Sequence, residues 1–391
     1  MRTEERALGL AERLPRHGRR LAGPLCASCL VFAATAGPAV ADTFRVTRHD
    51  DPPPAGCAPW DCSLREAVNA ANGKPGSTIQ LSSGTYRLTR PRSLGGKIDS
   101  GKPGSDKGDL DVTASAQIAT RGSGEVTIDA NGGVTGDRVL EVHGGGTVLR
   151  GIKLTGGKAS VDRDGHGRGG GVRVDAGALY MFGGAVIGNS VPRQGDLGGG
   201  IYTADHAVLR RVEVSGNTAT GGFGGFGGGV YTASPGATEI YDSKLFANRA
   251  FAGGALASED GHSANVTVAR SQIAHNVASG LGGAAYLLGP PTEGGIRYVF
   301  ENTTINANAA DEGGGALRLR NATATLRSST VVRNTAHNVG GVVVRDDGHD
   351  RTSVTLGGTI LASNTEQNPT PPAAPDCFDE TGGLCALRAT T

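Results

Sequence analysis

Asparagine recurs along this chain at Asn189, Asn217, Asn248, Asn276, Asn308, Asn334 and Asn364, in steps of 26 to 32 residues. A repeat this short cannot bury an apolar face alone, so it must stack on its neighbours. Three residues before each Asn stands an aliphatic side chain: Val186, Val214, Leu245, Ile273, Ile305, Val331 and Leu361. Eight residues before stands a second column, Met181, Leu209, Ile240, Val268, Phe300, Leu326 and Leu356, and ten before a looser one from Leu179 to Val354. The spacing of two between these last columns is that of a strand with one buried face. Between successive Asn residues comes a Gly-Gly element followed by a small aliphatic, as at Gly200-Ile201, Gly229-Val230 and Gly315-Ala316.

Several short strands per repeat and no helical period predict an all-β fold, a right-handed parallel β-helix of about nine coils, roughly 45 Å long at ~4.8 Å per coil. Equivalent Asn side chains would then bond to one another in a ladder. Gly accounts for 65 of the 391 residues, more than twice the roughly 7% of ordinary domains, without the every-third spacing of collagen. A 37% hydrophobic content and a net charge of +1 exclude a disordered chain. The alternative solenoid, a β-propeller, asks for four strands per roughly 40 to 50 residues and Trp-Asp signatures, and Trp60 is the only Trp.

Residues 1–41 read as a signal peptide. They comprise a charged flank to Arg20, an apolar run from Leu21 to Val40, and small residues at Ala39 and Ala41 before Asp42. The alternative is a membrane anchor; an Ala/Gly/Pro-rich run closed by Ala-x-Ala favours cleavage, export and no stable membrane span afterwards. Without this segment the charge is slightly negative, which offers nothing to nucleic acid. Four Cys remain, and in an exported chain their spacing favours two local disulfides, Cys57–Cys62 and Cys377–Cys385. The domains expected are an N-terminal cap at 42–78, the β-helix at 79–365 and a C-terminal tail with a disulfide loop at 366–391.

An open coil end needs a cap. Ser63-Leu64-Arg65-Glu66 matches a capping box, and Leu64, Ala67, Val68 and Ala71 follow at helical spacing. Arg65 and Glu66 are read as solvated or capping residues rather than catalytic ones. The run Cys62-Ser63-Leu64-Arg65-Glu66-Ala67-Val68, followed by Asn69-Ala70-Ala71-Asn72, resembles the signature of the CSLREA domain family of exported bacterial β-helix proteins. Gly108-Asp109-Leu110-Asp111-Val112-Thr113 and Asp137-Arg138-Val139 add to the likeness, and the Gly-Gly and Asn repeats resemble polymorphic outer-membrane protein repeats and pectate-lyase-like β-helices. The resemblance implies an extracellular or cell-surface protein and carries no catalytic residues to transfer.

β-Helices that act on polysaccharides use clustered carboxylates or Ca²⁺ with a basic residue on one outer face. The catalytic candidates here are Asp205, Glu259, Asp260, Asp346 and Asp347, with His206, His262, His349, Asp350 and Arg351 beside them. Asp205 and Glu259 fall two coils apart, roughly 10 Å, near the upper end of the separation used for inverting hydrolysis. Solvated turn chemistry accounts for the same residues. Asp106, Asp109 and Asp111 offer oxygens to Ca²⁺, the one cofactor considered, against a turn reading. The loop from Asp162 to Arg168 is a weaker cation candidate. Tyr202 and Tyr231 hold matching positions in successive coils and should point outward, and with Phe223, Phe226 and Phe251 nearby they suggest an aromatic surface for sugar rings, or a ladder that stabilises the sheet. The function expected is an exported or cell-surface binding or adhesion module, with carbohydrate or another cell-surface component as ligand. The alternatives are a polysaccharide lyase or hydrolase and a purely structural rod.

Overall fold

The computed structural model describes residues 41–92, 106–159, 165–220, 224–233, 235–258, 265–289, 297–347, 352–367, 376–379 and 388–389. All of them fall in one compact unit, Ala39–Thr391. No helix among the described residues is long and apolar enough to cross a membrane.

The chain winds as a parallel β-helix. One coil shows the pattern. From Ile201–Thr203 it passes to His206–Arg210, then to Glu213–Ser215 and Thr218–Ala219, and returns to Val230–Thr232 one level on. Among the described residues, strands at the second and third of these positions run as two lanes of a 20-stranded sheet, here sheet 1; those at the fourth form a seven-stranded sheet 2, and those at the first a ten-stranded sheet 3. Pairing is parallel and in register from coil to coil, with Ile201 opposite Val230, Leu209 opposite Ile240, Val214 opposite Leu245 and Ala219 opposite Ala250. Columns three and eight residues before each Asn therefore stack as expected. Val214, Leu245, Ile273 and Ile305 are fully buried, as are Leu209, Ile240, Val268 and Phe300.

Two corners per coil use left-handed backbone. Arg211, Asp242, Arg270, Asn302 and Ser328 turn the chain between the lanes of sheet 1, and Ala247, His275, Ala307, Arg333 and Ser363 turn it just before the Asn. Such a conformation costs roughly 1–2 kcal/mol for a residue with a Cβ, so something must hold it. The Asn ladder does so at the second corner. From Asn189 to Asn364 the backbone N–H and the Nδ2 of each Asn both donate to Oδ1 of the next coil's partner, at 2.8 to 3.1 Å. Each Nδ2 also donates to a carbonyl one coil back, for example from Asn217 to Val186 at 2.9 Å. The last acceptor is the Asp376 carboxylate, 2.8 Å from Asn364 Nδ2. At the other end Gly157 donates its N–H to Asn189 Oδ1 at 2.9 Å. A Cβ there would lie 1.8 Å from the Gly170 carbonyl oxygen, which is why no Asn extends the ladder further.

The cap forms as predicted. Helix α1, Leu64–Asn72, has Ser63 as its N-cap with the reciprocal Glu66 bond, and lays Leu64, Ala67, Val68 and Ala71 on the first coil. The Cys57–Cys62 disulfide is present. Cys377 is also disulfide-bonded, and Cys385 lies outside the described residues. Arg65 is not solvated. Its side chain is buried in an ion pair with Asp51, Nε to Oδ1 at 2.8 Å, and donates to the Gly108 and Asp109 carbonyls, both at 2.7 Å. The stem of a residue at the second helical position points into the coil here, and four acceptors make its burial tolerable. Sheet pairing also crosses the expected boundaries. Thr43–Arg45 pairs with Ser77–Leu81 inside the cap segment, and Cys377–Asp379 extends sheet 3 beyond residue 365.

Candidate functional site

The predicted carboxylates are spent on the fold wherever they are described. Asp205 accepts the Gly177 N–H at 2.7 Å and closes a turn. Asp346 accepts the Thr352 N–H at 3.1 Å. Asp347 is bracketed by Arg320 at 2.5 Å and Arg345 at 3.0 Å, and the hydrogen bond from Arg320 holds its carboxyl below the usual range. Glu259, Asp260, His262, His349, Asp350 and Arg351 lie outside the described residues, as do Asp162 to Asp164. His206 lies 3.8 Å from Glu239, on the outer surface of sheet 1.

Asp106, Asp109 and Asp111 do not converge. Asp106 is exposed, whereas Asp109 and Asp111 are buried and face different partners. Strands Leu110–Val112, Leu140–Val142 and Val172–Val174 stack so that Asp111, Glu141 and Arg173 form one outward column of sheet 3. His143 sits beside it, Nε2 to Asp111 Oδ1 at 3.0 Å, and Asp111, Glu141 and His143 bring one ligand atom each within 4.8 Å of one another. That is metal-ligand spacing, but cations already occupy the space. Arg138 reaches Glu141 at 2.6 Å and Asp109 at 3.3 Å, and Arg173 reaches Glu141 at 3.4 Å and Asp175 at 2.6 Å. Burial works against ionisation of Glu141, yet the Arg138 and Arg173 charges prevail and hold it at about 2. Burial raises Asp109 well above its ordinary range, helped by the charge on Asp137, and raises Asp137 and Asp175 too. The hydrogen bond to Asp111 raises His143. Glu141 and His143 escaped the sequence reading, although the period-two triplets Leu-Asp-Val, Leu-Glu-Val and Val-Arg-Val carry the signal.

Tyr202 and Tyr231 point outward and stack, centroids 5.8 Å apart and planes 5° from parallel. They are nevertheless buried, so the aromatic surface expected of them is not presented to solvent. The turns before the Gly-Gly elements fold over sheet 3 and cover them with Leu197, Phe226, Phe251 and Leu281, while Phe226 stacks on Tyr286 at 6.1 Å. Phe223 lies outside the described residues.

Exposed aromatic surface lies on sheet 1 instead. Arg150, Phe182, Arg210 and Tyr241 are register partners on four consecutive coils. The Arg150 guanidinium lies 4.6 Å from the Phe182 ring centre, and the Arg210 guanidinium 4.7 Å from that of Tyr241. Arg270, on the next coil, lies 5.6 Å from the Tyr241 ring centre and is held by Asp242 at 2.7 Å. The three Arg residues are exposed and both rings half-exposed. Tyr241 donates to Glu239 at 2.7 Å, which fixes its ring and raises its hydroxyl pKa. At ~4.8 Å per coil the strip runs for roughly 20 Å. Sequence reading passed over it because each residue alternates with a core position and none stands beside a motif.

No family model matches the chain, and no curated protein matches it. Among solved structures, the crystal structure of pectate lyase Pel9A is similar with a TM-score of 0.38 and 13% identity, over 89% of this chain and 83% of that chain.

Proposed function

We propose that this is an exported or cell-surface β-helix that binds glycan chains along the outer face of sheet 1 and breaks no bond in them. The observation that carries this reading is the alternation of guanidinium and aromatic ring on consecutive coils, at Arg150, Phe182, Arg210 and Tyr241. The half-exposed rings offer apolar contact to the C–H groups of a pyranose between their covering guanidinium groups, which donate to hydroxyls and acidic substituents. Cation–π contact sets each ring and holds each long Arg side chain, so little freedom is lost when a ligand arrives. Export follows from the leader and agrees with the Cys57–Cys62 disulfide, a bond that persists in oxidising compartments. Kinship with the CSLREA family belongs to the same reading and rests on the Cys62 to Asn72 signature.

Affinity electrophoresis through gels that contain neutral and acidic polysaccharides tests it, together with assays for reducing ends and unsaturated products. The expected result is retardation by at least one polysaccharide without turnover, lost by about tenfold in affinity in Phe182→Ala plus Tyr241→Ala with the melting temperature unchanged. Turnover, or retardation that the double substitution leaves intact, would overturn the proposal.

A further inference from the structure

The only Trp in the chain is its most exposed large hydrophobic residue among those described, with 82% of its surface open. Trp60 sits at the tip of Cys57-Ala58-Pro59-Trp60-Asp61-Cys62, a loop anchored on both sides of the indole. The disulfide closes its base. Ala58 and Asp61 exchange two backbone hydrogen bonds, at 3.0 and 3.2 Å. Cys62 is fully buried, and its N–H donates to Thr47 Oγ1 at 2.9 Å. Arg48 spans Asp61 at 2.7 Å and Asp50 at 2.6 Å. A chain with 4% aromatic residues thus carries its largest ring in water on an anchored loop.

We infer that this loop is a second saccharide contact, in which one face of Trp60 receives a single pyranose ring and the Arg48, Asp50 and Asp61 groups bond its hydroxyls. The inference takes its ligand class from the glycan-binding reading, but its site shares no residue with sheet 1. The immediate surroundings favour a sugar. A pyranose combines an apolar C–H face with a rim of hydroxyls, and here the open ring is followed in the chain by Asp61, whose carboxylate, like that of Asp50, is 60% exposed and pairs with an Arg48 guanidinium 36% exposed. A protein hot spot would call for a surrounding collar of contacts that exclude water. A lipid surface would call for a wider apolar face and for basic neighbours in place of two carboxylates. Because the loop is already rigid, stacking loses little conformational entropy.

Since Trp60 is the only Trp, its emission reports on this loop alone. The full chain is titrated with cellohexaose, chitohexaose and hexagalacturonate, in parallel with neutral and anionic phosphatidylcholine-based vesicles. A saturable blue shift with one of the oligosaccharides is expected, retained in Phe182→Ala plus Tyr241→Ala. Trp60→Ala should weaken binding of the same oligosaccharide, measured by calorimetry, about tenfold, and Trp60→Phe should recover part of the loss. Both variants should melt like the wild type because the ring has no buried contact to lose. No shift with any oligosaccharide, a shift with vesicles alone, or a concentration-dependent dimer abolished by Trp60→Ala would overturn the inference. If glycans bind and Trp60→Ala changes nothing, the loop assignment fails while the sheet 1 proposal stands. If the shift persists but the sheet 1 substitutions leave polysaccharide retention intact, that earlier proposal fails instead.

Discussion

The coils around Asp109 to Asp175 and those from Asn189 to Asn364 solve one problem in two ways. Both must satisfy polar groups buried between stacked turns. The later coils do it with a neutral ladder, one carboxamide per coil, every donor and acceptor matched at 2.8 to 3.1 Å. The earlier coils use charge: Asp109, Asp137, Glu141 and Asp175 are threaded by Arg138 and Arg173. A ladder of amides repeats indefinitely because each unit is identical to the next. A charge cluster does not repeat so simply: Asp111 and Glu141 already stack as like charges one coil apart, and each such step needs cations of its own, here Arg138, Arg173 and His143. The difference marks the place where a singular cap, with its buried Arg65, is joined to a repetitive rod.

The sharpest way to break the comparison is to remove one cation. Arg138→Ala leaves Glu141 and Asp109 buried without a key partner and should cost about 3–5 kcal/mol in urea unfolding. Asn276→Ala is expected to cost about 2–3 kcal/mol, because it removes the acceptor of both Asn248 donors and the Nδ2 donor to the Leu245 carbonyl, and leaves Asn308 Oδ1 with the backbone donor alone.

Response to pH should separate the two regions next. Glu141 is held below its ordinary 4.5, so its stabilisation is complete above that pH and is lost as the pH falls towards about 2. His143 is held above its ordinary 6.5, so its stabilisation is complete below that pH and is lost as the pH rises through the raised value. Asp109, Asp137 and Asp175, held above 3.8, act in the same sense as His143. The three Asp contributions decline from about pH 3.8 upward, so the melting temperature should peak at or below about pH 4.5 and fall above it, more steeply once His143 loses its proton. His143→Gln should flatten the alkaline limb and Glu141→Gln the acid limb, whereas substitutions in the Asn ladder should lower the whole curve without changing its shape. The smallest effect belongs to Asp376→Asn at the end of the ladder. A carboxamide oxygen still accepts both Asn364 donors, so the loss should stay below about 1 kcal/mol by the same unfolding measurement.

The rod was legible because its constraints are periodic. Equivalents of Asn217 and Ile273 recur at the same phase in coil after coil, and the buried columns are written at fixed distances, three and eight residues, before each Asn. Helix α1 was legible for a local reason, the reciprocal Ser63 and Glu66 bonds. What lies outside the cylinder was not, because direction along a strand does not reveal what covers it. Tyr202 points outward, as its spacing requires, and is then buried by a turn containing Leu197. Phe182, on the outer face of sheet 1, stays half-exposed. Asp205 was readable as a catalyst or, preferably, a turn former, and its 2.7 Å bond from Gly177 is of the second kind.

Hydroxyl-radical footprinting of the side chains, with and without the retained polysaccharide, tests the account most directly. Oxidation of Phe182 and Tyr241 should fall several-fold on binding, while Tyr202, Tyr231 and Tyr286, already covered, should not change. Bound polysaccharide that leaves Phe182 and Tyr241 as reactive as before would contradict it.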